Sequence, residues 1–247
     1  MSPVHALREI TWIELKVFGR EPLTVVFVLV LPLIVLYGLN GVFGNQADPS
    51  VYEGIGPVDF YTPAYVSLVV ATVGVLSVPV HLAGYREQGV MRRFRASALS
   101  PATLLGAHVI VALPVGTAAA VLLTIPSRAG YSGALPHDWL GVIAGFVLVT
   151  LAFAALGALI GALLPTARAA QGLLFFVFLM LGGAGPPREV LPGAMANLSA
   201  AVPLTHASSV LRGPWLDLGW DAGAVAVLGI LAASLGLTWW RLRSLEA

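Results

Sequence analysis

The 247 residues include no cysteine, and only 10% of them carry a charge. Without thiols there is no disulfide, no cysteine nucleophile and no cysteine-based metal site, although compartment stays open. None of the twelve acidic residues lies inside a long apolar run, whereas proton-coupled carriers usually keep ionisable groups at membrane depth. The patterns G-x-x-x-x-G-K-[ST], H-E-x-x-H and G-x-S-x-G are also absent. The chain therefore lacks the usual cradle for ATP phosphates and any visible metal base or serine nucleophile. The histidines, His5, His81, His108, His137 and His206, form no i,i+4 pair. They read as interfacial or packed side chains, with no metal site and no catalytic residue assigned.

What the sequence has in excess is apolar length. Hydrophobic residues make up 58% of it and the mean hydropathy is +0.89, far from the roughly 45–50% apolar composition of a soluble domain. Runs able to cross a bilayer cover Leu23–Phe43, Phe60–Ala83, Leu104–Pro126, Trp139–Leu164, Gln171–Gly185 and Ala222–Trp240, the fifth being short. The expected fold is an all-α membrane protein with six transmembrane helices. No small-residue cleavage site follows the first run, so that run is expected to stay as a helix. Glycines recur at four-residue spacing in the fourth run, Gly141/Gly145 and Gly157/Gly161. They are expected to serve close helix packing within one subunit, with a dimer seam as the alternative.

Charge orients the chain. With the N-terminus inside, ten basic residues face the cytoplasm and Arg128, Arg188 and Arg212 face out, a positive-inside bias that places both termini in the cytoplasm. Residues 3–20 put Leu7, Ile10, Ile13, Val17 and Phe18 on one helical face, as in a helix lying in the inner interface, with Glu14 interrupting the stripe. Residues 186–213 carry Pro186, Pro187, Pro192 and Pro203. A seventh crossing there would put Arg241 and Arg243 outside, so the segment reads as a re-entrant helical hairpin on the outer face before the last span. An amphipathic outer loop is the alternative.

Four of the thirteen basic residues, Arg86, Arg92, Arg93 and Arg95, fall in one short stretch after the second run. Met91 and Phe94 stand among them, so the loop offers apolar anchors beside planar charged forks, residue types enriched at protein interfaces. Binding to anionic headgroups is the competing reading. The loop carries more arginine than the other inner loops, which favours docking of a partner.

The whole arrangement resembles the permease subunit of the ABC-2 family of ATP-binding-cassette exporters. The residues that carry the likeness are Glu21-Pro22, Pro32 and Phe43-Gly44, then Arg86-Glu87-Gln88-Gly89, Arg92-Arg93-Phe94-Arg95 and Leu99 to Gly106, and finally Leu191-Pro192 and Pro203 to Arg212. Where the family often has a proline three residues before the loop's final one, Ala98 stands here. The resemblance implies a single membrane domain over residues 1–247 whose 86–101 loop is a cytoplasmic coupling element. Glu87, Gly89, Met91, Arg92, Arg93, Phe94 and Pro101 would form the contact with a separate ABC ATPase subunit that uses Mg-ATP. It further implies a second permease subunit, identical or homologous, in a bacterial inner membrane, surrounded by lipid and with no nucleic-acid partner. The substrate path would run between the paired subunits, with Tyr37, Asn40, Tyr65 and Ser67 as candidate lining positions. The small chain without a large outer domain points to efflux of a lipophilic drug or antibiotic. Lipid or polysaccharide export is the alternative, with a secondary carrier and a non-transporting scaffold behind it.

Overall fold

The computed structural model describes residues 26–47, 50–77, 101–163 and 184–244, together with 8, 9, 11–13, 16, 19 and 20 of the opening segment. All regular structure among them is helical. Helix α1 (Leu31–Phe43) follows a π-helical turn, Val26–Val30. Pro32 offers no N–H to the carbonyl four residues back, and the helix is widened directly before it. Helix α2 (Pro57–Thr72) begins with Pro57 in its first turn and runs on into a second π-helical turn, Val73–Ser77. Next come α3 (Pro101–Tyr131), α4 (Trp139–Leu163), α5 (Gly193–Ala201), α6 (Pro203–Trp215) and α7 (Ala222–Ser244).

Several boundaries have visible causes. Asp138 accepts from the N–H of Gly141 (2.9 Å) and Asp221 from that of Gly223 (2.8 Å), so each caps the helix that follows it. Pro101 and Pro203 open α3 and α6, where the missing N–H costs nothing. Among the described residues, four helices are long and apolar enough to cross a membrane: 57–75, 109–131, 139–161 and 222–240. The first expected span is described only from Val26, where it is helical through Phe43. Of the fifth, only Ala184 and Gly185 lie within the described residues. Helix α3 continues through Pro126 to Tyr131, five residues beyond the expected end.

Helix α2 is the axis of the bundle. Fifteen of its sixteen residues are buried, enclosed by α1, α3, α4 and α6. Close approach is possible where side chains are missing. A β-carbon on Gly74 would fall 2.7 Å from the carbonyl carbon of Phe153, and one on Gly116 would fall 2.7 Å from Phe146 and Val70. Gly141 lies against Pro214 and Gly145 against Val210. That pair of fourth-run glycines therefore packs α4 on α6 of the same chain.

One end of the bundle is tied across by side chains. Asn45 Oδ1 accepts from the N–H of Val58 (2.9 Å), while its Nδ2 donates to the carbonyl of Tyr131 (3.2 Å). Asp59 accepts from the N–H of Ala134 (2.6 Å), and the Trp215 indole N–H donates to the Ala134 carbonyl (3.0 Å). The backbone N–H groups of His137 and Asp138 donate to Trp215 and Pro214. We call this the capped end. His137 and Asp217 face one another there at 3.5 Å, both well exposed. Exposed Trp220 marks this end of α7, and exposed Trp239 and Trp240 mark the other. The separation along the helix is roughly 30 Å, the thickness of a bilayer's hydrocarbon core.

Helices α5 and α6 form a tight hairpin. Val202 joins them with extended backbone, as a residue before proline requires. Thr205 Oγ1 donates to the Ser199 carbonyl (2.7 Å), and the His206 ring nitrogen Nε2 lies 2.9 Å from the Ala200 carbonyl. From Pro203, α6 rises past Ser67, Gly145 and Gly141 to Trp215 at the capped end, a climb of roughly 18 Å.

Candidate functional site

The aromatic face of α2 is the most distinctive grouping in the core. Tyr61 and Tyr65 stand one turn apart, with ring centroids 5.7 Å apart. Phe60 meets Tyr61 edge to face at 5.2 Å. Tyr52, from the short turn before α2, closes on both at 5.6 Å. Arg212 reaches from α6 and holds its guanidinium carbon 4.0 Å from the centroid of the Phe60 ring. Only 7% of Arg212 is exposed, and a desolvated contact of this kind contributes about 2 kcal/mol.

Most buried hydroxyls are matched to a carbonyl. Thr62 donates to the Val58 carbonyl (2.7 Å), Thr150 to Phe146 (2.7 Å), Ser208 to Leu204 (2.8 Å) and Thr238 to Ser234 (2.7 Å). Ser127 donates to the Leu123 carbonyl in the same way. Ser67 reaches the carbonyl of Pro63 (3.0 Å) and that of Ala207 in α6 (3.2 Å), and so ties the two helices together. Tyr61 donates to Gly185 (2.9 Å). Tyr65 differs, because its fully buried hydroxyl has no hydrogen-bond partner among the described residues. Leaving such a group unsatisfied costs about 1–3 kcal/mol.

Three of the four expected lining residues are described with their side chains. Tyr37 is half-buried, donates to the Leu123 carbonyl (2.9 Å) and stacks on Tyr131 at 6.0 Å, so it fastens α1 to α3. Asn40 is helical, and its side chain lies outside the described residues. Tyr65 and Ser67 are both wholly buried inside the subunit. Of the expected coupling residues, Pro101 opens α3, while Glu87, Gly89, Met91, Arg92, Arg93 and Phe94 lie outside the described residues. In the opening segment Trp12 and Ile13 are helical and exposed, and the Lys16 ammonium lies 5.0 Å from the Trp12 ring.

Sequence reasoning counted Arg212 as an ordinary outer arginine and passed over Tyr52, Phe60 and Tyr61. The i,i+4 spacing of Tyr61 and Tyr65 was the available signal. A further signal was Arg212 itself, at the end of a segment whose neighbours Leu204, Ala207, Val210 and Leu211 are all buried.

The described residues hold no group of three or more His, Cys, Asp or Glu that could bind a metal ion. The interior offers aromatic faces, a buried cation and isolated hydroxyls, a set suited to binding and conformational change more than to bond-making chemistry. Comparison with curated proteins gives no match. Residues 5–215 match the family described as ABC-2 type transporter. With most of its length covered and its apolar helices able to cross a membrane, the chain belongs to the ABC-2 type transporters, as a membrane-embedded transport subunit whose family membership implies an ABC ATPase partner.

Proposed function

We propose that this chain is the permease of an exporter in which two permease subunits, identical or homologous, pair with two separate ATPase subunits that use Mg-ATP. The cargo is a lipophilic drug or antibiotic taken from the cytoplasm or the inner leaflet of a bacterial cell membrane. The observation that carries this reading is the 86–101 segment: four arginines in a member of this family that has no phosphate-binding loop of its own. Energy then has to arrive from a partner, and the basic loop is the best-suited docking element.

In this reading both termini and the 86–101 loop are cytoplasmic, six spans cross the membrane and the capped end faces out. The climb of α6 beside α2 and α4, with Leu204, Ala207, Ser208, Val210 and Leu211 buried, supports a hairpin whose α6 arm enters the membrane packed in protein, while most of α5 is exposed. The substrate path runs between paired permeases along spans one and two, where Tyr37, Asn40, Tyr65 and Ser67 sit. Because Tyr65 and Ser67 are sealed in the conformation described here, they join that path only when the helices packed around α2 part.

Charge reversal tests the docking role. Arg92→Glu with Arg93→Glu is expected to abolish co-purification with the ATPase subunit and the drug resistance that the pair confers, while the permease still inserts in the membrane. Unchanged association and resistance would sink the docking role.

A further inference from the structure

Among the buried hydroxyls of α2, those of Thr62, Ser67 and Tyr61 all have carbonyl acceptors, yet that of Tyr65 has none among the described residues. A phenylalanine would fill the same space without that penalty, so the hydroxyl is out of keeping with a purely structural role. Its surroundings are those of a ligand site in which one polar group is set among flat apolar walls. Tyr61 lies against it, and Tyr52 and Phe60 continue the ring series toward the capped end. Arg212 over Phe60 closes that series from α6.

We infer that the Tyr65 hydroxyl is a substrate-specificity group. As the helices packed around α2 part during transport, it donates a hydrogen bond to an acceptor oxygen on the lipophilic cargo, whose apolar body lies along the Tyr52–Phe60–Tyr61 rings. The inference rests on the exporter reading above and adds to it the chemical feature that is selected, a carbonyl or ether oxygen on an otherwise apolar molecule.

The test uses permease and ATPase assembled together in proteoliposomes. ATP-dependent movement is measured for rhodamine 6G, whose ester carbonyl accepts a hydrogen bond, and for tetraphenylphosphonium, which has no hydrogen-bonding group. Tyr65→Phe is expected to raise the KM for rhodamine 6G roughly five- to tenfold, the loss of one hydrogen bond, and to leave that for tetraphenylphosphonium unchanged. Its Tm should equal or exceed that of the parent chain. Tyr61→Phe, which loses the bond to Gly185, should lower Tm and affect the two probes alike. Equal KM changes for both probes with Tyr65→Phe, or no change for either, would overturn the inference while leaving the exporter reading intact. If the parent complex moves neither probe with ATP, the exporter reading itself fails and this inference fails with it.

Discussion

Gly74, in the widened turn that ends α2, lies against the main chain of Phe153 in α4 so closely that a β-carbon there would fall 2.7 Å from the Phe153 carbonyl carbon. Backbone cannot give way as a side-chain tip can. Gly74→Ala is therefore expected to lower stability by about 1–3 kcal/mol through overpacking. Gly38→Ala is the comparison, since nothing lies within 4 Å of its added carbon, and it should be neutral or stabilising by about 0.5–1 kcal/mol. Thermal unfolding of both variants in detergent checks the contrast.

The Gly145–Val210 contact permits a covalent test of topology, because the chain contains no cysteine to interfere. The added carbon at Gly145 would lie 3.0 Å from Val210 Cγ1, which is compatible with the β-carbon separation of about 3.5–4.5 Å in a disulfide. Gly145→Cys with Val210→Cys is expected to form an intramolecular bridge on mild oxidation, seen as faster gel migration of the monomer. A dimer-sized product would assign these glycines to a subunit seam instead.

Arg212 anchors the aromatic group by lying flat on Phe60. Replacing it by Lys keeps the charge and loses the planar stack, so Arg212→Lys should cost about 1 kcal/mol and Arg212→Ala about 2 kcal/mol or more. Unfolding measurements that rank Lys equal to Ala would show the stack to be unimportant.

Asn45 joins three elements at the capped end through one carboxamide. Asn45→Ala removes the acceptor for the Val58 N–H and the donor to Tyr131, and is expected to cost about 1–2 kcal/mol. Hydrogen exchange should quicken at Val58 and its neighbours while staying unchanged in α7. Uniform quickening across the bundle would mean that the tie is not local.

The starts of α4 and α7 were legible as the first residues of the apolar runs at Trp139 and Ala222, which Asp138 and Asp221 prove to cap, and the break at Pro203 was legible as a proline. The inside of the bundle was less legible. In a membrane protein a residue facing lipid and one facing a neighbouring helix are equally apolar, so nothing in its composition marked α2 as the fully enclosed helix. For the same reason the sequence did not show that Tyr65 and Ser67 are buried within the subunit or that the Tyr37 hydroxyl holds α3. The packing of Arg212 was not legible because charge patterns locate an arginine relative to the bilayer and cannot reveal that its guanidinium lies over a ring. The expected coupling residues from Glu87 to Phe94 lie outside the described residues, and the sequence alone speaks for them.

The central claim is that this chain moves its cargo only when a separate ATPase drives it. The direct measurement is rhodamine 6G transport in proteoliposomes holding the permease with or without its ATPase subunit, with Mg-ATP or an imposed proton gradient as the energy source. The account predicts transport with both ATPase and Mg-ATP present, lost when the phosphate-loop lysine of the ATPase is replaced. Transport by the permease alone, driven by the proton gradient, would contradict it.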